Sequence, residues 1–163
     1  MATVDVSNGI NAGTHPSRAI RKEPYKVEVD LNLATATTTK GSALASADVL
    51  QVIDVPAKTM VWAAGLEVVT PNDGDFQIDI GTGADPDAFA DNFDCDGTST
   101  GDMTSIPAAY APLIVSADDT IDVVIGPTVG SADPTSGVWR VFAVMQDVSD
   151  DLGPDEVDRD QLA

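Results

Sequence analysis

The chain has 163 residues and a formal net charge of −19, from 8 basic and 27 acidic residues. That length is typical of one domain, and the strong negative charge argues against a polyanionic nucleic acid as a partner. No run approaches the roughly 18 consecutive apolar residues of a membrane span, and the single cysteine excludes an internal disulfide framework.

The composition favours β-structure. There are 19 valines, 9 isoleucines and 15 threonines, whose branched side chains pack well on a pleated surface. The acidic residues are 23 aspartates and 4 glutamates. Aspartate favours turns, whereas glutamate favours helices, so the sequence predicts an all-β protein.

The first 25 residues predict an extended N-terminal arm. Met1–Pro24 show no periodic pattern of apolar residues, and Gly9, Gly13 and Pro16 interrupt this segment. Five of the eight basic residues fall within residues 1–40. We therefore expect the arm to bind a partner through Arg18, Arg21 and Lys22.

Four strands follow the arm. Strict alternation of apolar and polar residues predicts a half-buried strand over 26–33, and residues 35–42 are small and polar, as in a loop. Further strands are predicted over 49–55, 60–69 and 75–80. The turn Pro71-Asn-Asp-Gly74 favours a hairpin that joins the last two.

The remaining elements are short. Residues 81–102 predict a long polar loop containing a helical turn near 87–93, followed by strands over 110–115, 120–125 and 138–148. Residues 149–163 predict an acidic tail. The body, residues 26–148, is expected to form a two-sheet antiparallel sandwich, with the jelly roll as one arrangement.

Groups for catalysis are scarce, so no enzymatic activity is expected. His15 is the only histidine and lies in the arm. Cys95 is flanked by Asp91, Asp94 and Asp96, whose charges suppress the reactive thiolate. Paired carboxylates for glycoside hydrolysis remain open, because with so many aspartates no single pair is informative.

One segment resembles half of a calcium loop. Asn92, Asp94 and Asp96 alternate before Gly97, as ligands do at the start of an EF-hand loop. Position twelve would be Met103 rather than a bidentate glutamate, and no pair of helices flanks the loop. A hydrated acidic loop is therefore the first interpretation and Ca²⁺ binding the second, with no other cofactor expected.

For Trp62 and Trp139, core or interface packing is favoured over a platform that stacks against sugars.

Residues 49–148 resemble small β-sandwich virion proteins of tailed bacteriophages, particularly marine ones. The resemblance rests on five stretches: Val49-Leu-Gln-Val-Ile-Asp-Val-Pro56, Met60–Val69, Asp79-Ile-Gly-Thr-Gly-Ala-Asp-Pro-Asp87, residues 118–123, and Gly137-Val-Trp-Arg-Val-Phe-Ala-Val144. It implies a non-enzymatic decoration (cement) protein on the outer capsid surface of the virion. Its implied partners are the major capsid protein and further copies of itself in a homotrimer, with no nucleic acid and no membrane.

Two alternatives remain open. The same strands could build a phage tail, fibre or head-fibre component. A carbohydrate- or calcium-binding module is a third interpretation, and it would use the loop 81–102 with Trp62 or Trp139.

Overall fold

Two β-sheets face each other across the interior. The computed structural model describes residues 3–5, 23–105, 111–128 and 134–149. The strands β1, β3, β8, β5 and β6 form one sheet in that order, and β2, β9, β4 and β7 form the other. The elements of the described residues are β1 (Thr3–Asp5), β2 (Tyr25–Asn32), α1 (Leu33–Lys40), β3 (Val49–Val55), β4 (Thr59–Thr70), β5 (Phe76–Gly81), β6 (Ala90–Asp94), β7 (Leu113–Val115), β8 (Asp119–Thr128) and β9 (Val138–Asp147).

Eight of the strands form four nested antiparallel pairs. β2 pairs with β9, β3 with β8, β4 with β7, and β5 with β6. This nesting results when one long antiparallel hairpin is rolled up, and the pairs β4–β9 and β5–β8 then join its layers. The topology is a jelly roll, so the predicted all-β two-sheet sandwich is confirmed.

The core lies between the sheets and is built by alternate strand residues. In β2, Val27, Val29 and Leu31 are buried while their neighbours are exposed. Trp139 of β9 meets Phe76 of β5 across the interface, with ring centroids 5.7 Å apart. Fully burying one large apolar side chain of this kind contributes about 1.5–3 kcal/mol, so these contacts between sheets hold the sandwich together.

The predicted loop over residues 35–42 is wrong, because Leu33–Lys40 form the helix α1. The Asn32 side chain caps its first turn by accepting a hydrogen bond from Thr35 N at 3.2 Å. Gly41 ends the helix in the left-handed conformation, with φ of 80°. Leu33 and Ala36 are buried, so tertiary packing outweighs the low helix propensity of the threonines.

The predicted hairpin over residues 60–80 is also wrong. β4 and β5 belong to different sheets, and the connection between them crosses from one sheet to the other. β4 pairs with β9 and β7, and β5 pairs with β8 and β6. Turn residues specify that the chain reverses; they do not specify that the two flanking strands pair.

Residues 81–102 contain a strand instead of the predicted helical turn. β6 pairs with β5 through Gln77 opposite Asp94 and Ile78 opposite Phe93. Phe89 is buried just before the strand begins. The four-residue spacing of Phe89 and Phe93 therefore does not mark a helical turn. It arises because the strand is irregular here, with Asn92 at a positive φ of 52°.

The structure describes only parts of the predicted arm and tail. Within the predicted arm, β1 lies parallel to β3, with Val4 opposite Leu50. Residues 6–22, which include His15 and the predicted partner-binding Arg18, Arg21 and Lys22, lie outside the described residues, as do 150–163. The domain boundaries after residues 25 and 148 stay a prediction.

Candidate interaction surfaces

The two sheets carry different charge. The strands of the five-stranded sheet contain no lysine, arginine or histidine. Their acidic residues are seven aspartates, Asp5, Asp54, Asp79, Asp91, Asp94, Asp119 and Asp122. The four-stranded sheet contains Lys26 and Arg140 against Glu28, Asp30, Glu67 and Asp147. One side of the sandwich is therefore strongly acidic and the other close to neutral.

Ion pairs on the four-stranded sheet reduce its field further. Arg140 Nε donates to Asp30 Oδ1 at 2.9 Å, and its Nη1 lies 3.8 Å from Glu67 Oε2. The hydrogen bond that Arg140 donates to Asp30, the charge of Asp30 and the charge of Glu67 raise the pKa of Arg140. Lys26 pairs with Glu28 and lies over the ring of Phe142, 5.4 Å from its centroid.

Exposed and half-buried apolar side chains collect towards one end of the four-stranded sheet. Met60 lies opposite both Ile114 of β7 and Gln146 of β9, and Ala63 lies opposite Val144. Ile114 is 54% exposed and Trp62 41% exposed. We call the outward-facing side chains of Met60, Trp62, Ile114, Phe142 and Val144 the apolar end of this sheet.

Trp62 is held in place at the apolar end. The register of β4 against β9 shifts between Val61 and Ala63, so Trp62 lies in a β-bulge, a feature that redirects a side chain. Its indole N–H donates to Gln146 Oε1 at 2.9 Å. Trp62 is therefore not packed in the core, and packing at an interface stays a prediction for it. Trp139 is fully buried in the core.

Glycine at position 65 permits a close approach on the same face. A Cβ atom at Gly65 would lie 2.7 Å from Thr104 Oγ1 and 2.8 Å from Phe142 Cζ. Thr104 also accepts a hydrogen bond from Leu66 N through its hydroxyl at 3.0 Å. The segment that carries Thr104 therefore packs directly on β4.

The predicted calcium ligands lie on and after an edge strand. Asn92 and Asp94 belong to β6, and Asp96 follows it. Asp94 Oδ1 accepts a hydrogen bond from Asp96 N at 3.0 Å, and Asn92 N donates to Asp79 Oδ1 at 2.7 Å. In the part of the chain that is described, no three His, Cys, Asp or Glu side chains are grouped to hold a metal ion. Calcium binding here stays a prediction that titration with Ca²⁺ would test.

For Cys95, burial disfavours the thiolate more than the neighbouring charges do. The side chain is buried, and this burial, with a smaller contribution from the charge of Asp94, raises the pKa of its thiol to about 12. Desolvation rather than the three neighbouring carboxylates is thus the main cause. Its backbone N–H donates to Phe76 O at 2.9 Å, which fixes the residue as part of the core.

A buried carboxyl lies on the five-stranded sheet. Asp122 is 3% exposed, and its Oδ1 accepts a hydrogen bond from Thr120 Oγ1 at 2.5 Å. Burial raises its pKa to about 6, the hydrogen bond from Thr120 opposes the rise, and the charge of Asp119 adds to it. Asp122 lies opposite Gly81, where a Cβ atom would lie 2.0 Å from Asp85 O. The loop after β5 therefore folds back closely at this point.

An open depression lies where β3 ends and β8 begins. It has a volume of about 350 Å³ and is lined by Asp54, Val55, Pro56, Asp118 and Asp119. Asp118 accepts from Ala57 N at 2.9 Å and Asp119 from Thr120 N at 2.9 Å. These carboxylates organise the local backbone, and the depression has no basic residue in its lining.

Comparisons with known proteins gave similarity of structure only. No family model matches the chain, and no curated protein matches it. A chain of the capsid asymmetric unit of cyanophage Pam1 shares 14% identity with a TM-score of 0.49, over 76% of this chain and 83% of that one. A chain of the acidic stable capsid structure of Helicobacter pylori bacteriophage KHP30 shares 12% identity with a TM-score of 0.48, over 75% of this chain and 85% of that one. At these values the similarities do not assign a function.

Neither the apolar end nor the buried carboxyl is evident from the sequence pattern. Trp62 lies in a run that is apolar on both faces, so the pattern could not show which residues face outward. The alternation of Ile121, Val123 and Ile125 does place Asp122 on the opposite face. The burial of Asp122 depends on distant parts of the chain, which no local pattern reports.

No helix among the described residues is long and apolar enough to cross a membrane.

Proposed function

We propose that the chain is a non-enzymatic structural protein of a bacteriophage virion. In this role it is a decoration protein that binds the outer capsid surface, contacts the major capsid protein and associates with further copies of itself as a homotrimer. The arm supplies part of the contact with the shell, and the acidic sheet faces solvent.

The observation that carries the proposal is where the resembling stretches lie. Val49–Pro56 contains β3, Met60–Val69 lies in β4, residues 118–123 overlap β8, and residues 137–144 overlap β9. The fifth stretch, Asp79–Asp87, covers the end of β5 and the connection after it. Four of the five resembling stretches therefore lie in or overlap strands of one jelly roll, which supports a resemblance in the scaffold.

The charge distribution supports an outward acidic side. A sheet whose charged residues are all aspartates is strongly hydrated and repels the same sheet of a neighbouring particle. The outer face of the near-neutral sheet can contact another protein with less repulsion between like charges.

The first residues of the arm are paired within the chain itself. β1 adds to the edge of the five-stranded sheet, beside β3, so contact with the shell depends on arm residues outside β1. Fixing an extended segment on a partner costs about 1–2 kcal/mol per residue, so its binding requires an extended protein surface such as neighbouring shell subunits.

Copy number in purified virus particles tests the proposal. Quantitative mass spectrometry after digestion with an Asp-directed protease suits the chain, because its 8 basic residues leave few tryptic peptides. Hundreds of copies, comparable with the major shell protein, are expected. A dozen or fewer would favour the tail or fibre alternative, and absence from the particle would exclude a virion role.

Deletion of residues 1–24 tests the arm. The truncated protein is expected to keep the cooperative unfolding of the sandwich and to lose binding to stripped particles. Unfolding of the truncated protein would contradict the assignment of this segment as an arm, and undiminished binding would place the docking surface elsewhere.

A further inference from the structure

We infer that the outer face of the four-stranded sheet, centred on its apolar end, is the surface through which copies of this chain associate. The inference rests on the proposed decoration role, which includes association with further copies, and it identifies the surface that makes this contact. It is tested on the isolated protein, so its failure and the failure of the virion role are distinguishable.

Charge selects this face for contacts between identical chains. With a net charge of −19, two copies repel each other over most of their surfaces. Like charges placed opposite each other at an interface cost several kcal/mol. The strands of the five-stranded sheet carry seven aspartates and no basic residue, whereas Lys26 and Arg140 offset acids on the other sheet.

The apolar end supplies the attraction. Ile114, Met60 and Val144 lie on three neighbouring strands, β7, β4 and β9, at the same end of the sheet. Trp62 adds a large ring, 41% exposed, which a bulge and a hydrogen bond to Gln146 hold in one position. Rigid, partly exposed aromatic side chains are typical anchors of protein interfaces because little entropy is lost when they bind.

The size of the face suits an interface. The four strands contain 8, 10, 12 and 3 residues. At roughly 3.3 Å per residue and about 4.8 Å between strands, they give a face of roughly 500 Å². A standard interface buries about 800 Å² on each partner. The face with its flanking loops therefore approaches what a stable contact between two copies requires.

The edge of the face provides groups of both signs. Lys26 is paired with Glu28 and both remain about half exposed, at 54% and 45% of their side chains. A second copy can exchange these partners, so that Lys26 of one chain meets Glu28 of the other. Against a uniformly acidic partner surface, Glu28 would face a like charge and find no partner. A second copy supplies a lysine as well as a glutamate, which favours a second copy as the occupant.

Sedimentation velocity of the full chain over a range of concentrations tests the inference. The wild-type protein is expected to self-associate at tens of micromolar or below. Ile114→Lys should weaken association at least tenfold, although it makes the net charge less negative and so reduces general repulsion between copies. Gln77→Lys makes the same charge change on the five-stranded sheet and should leave association unchanged or slightly stronger.

Tryptophan fluorescence gives a second measurement. Trp139 is fully buried, so dilution should shift the emission through Trp62 alone, and Trp62→Phe should abolish the shift while thermal unfolding stays cooperative. A wild-type protein that remains monomeric at high concentration would overturn the inference, as would equal effects of Ile114→Lys and Gln77→Lys. Monomeric protein whose Trp62 becomes protected only on virus particles would instead assign the face to the shell.

Discussion

Replacing Asp122 by asparagine should stabilise the protein at neutral pH. Asp122 is 3% exposed, and burial raises its pKa from 3.8 to about 6. The folded state therefore holds this proton more tightly than the unfolded state. Its favourable contribution is complete below about pH 4 and is lost as the pH rises through about 6.

The magnitude follows from the two pKa values. One pKa unit corresponds to about 1.4 kcal/mol, so a rise of about two units costs at most about 3 kcal/mol at pH 7 and above. Relaxation of the protein around the charged carboxylate reduces this cost, and we expect about 2 kcal/mol. Asparagine keeps the carbonyl oxygen that accepts from the Thr120 hydroxyl, so the variant removes the charge and retains the hydrogen bond.

Urea unfolding at a series of pH values measures the difference between the two proteins. Asp122→Asn should be more stable than wild type at pH 8 and nearly equal to it at pH 4. Asp54→Asn, on the neighbouring strand β3 and partly exposed, is the matched control and should change little at either pH. A stabilisation by Asp122→Asn that is the same at pH 4 and pH 8, or a loss of stability at pH 8, would refute the electrostatic explanation.

Three further substitutions test other contacts by thermal or urea unfolding. Lys40→Met should lower the free energy of unfolding by about 3 kcal/mol, because it leaves the carboxylate of Asp48, 4% exposed, without its ion-pair partner. The double variant with Asp48→Asn should recover part of this stability, and no recovery would contradict the pairing. Gly65→Ala should cost about 1–3 kcal/mol, because the new methyl group overlaps Phe142, and a neutral result would show that the face adjusts freely. Burial raises the pKa of Asp73, but hydrogen bonds from residues 135 and 136 outweigh it and hold the pKa well below its usual value. Asp73→Ala should therefore destabilise the protein by a constant amount above about pH 5 and by less as the pH falls below about 4, and a pH-independent difference would exclude this origin.

The sheet class and most strands could be predicted because alternation is a local signal. β2 and β9 each bury every second residue, and both were located within two residues of their ends. The helix α1 could not be predicted, because its threonines have low helix propensity. It is instead fixed by the Asn32 cap and the burial of Leu33.

Partner strands and surfaces depend on distant residues. The turn at Pro71–Gly74 was recognised, but whether β4 and β5 pair depends on β8 and β9, which occupy their edges. The aspartate-rich sheet was visible only as a high total charge. Its separation from the near-neutral sheet appears once the rolled topology places the strands of each sheet together.

The pairing of β2 with β9 brings the two ends of the sandwich together. Tyr25 lies opposite Met145, and directly opposed residues in an antiparallel pair are about 5 Å apart. A peptide or protein that replaces residues 1–22 would therefore emerge beside one fused after residue 149. A short linker between these points, with new termini in the connection between β4 and β5, gives a circular permutant in which a displayed sequence is carried on the opposite rim of the body.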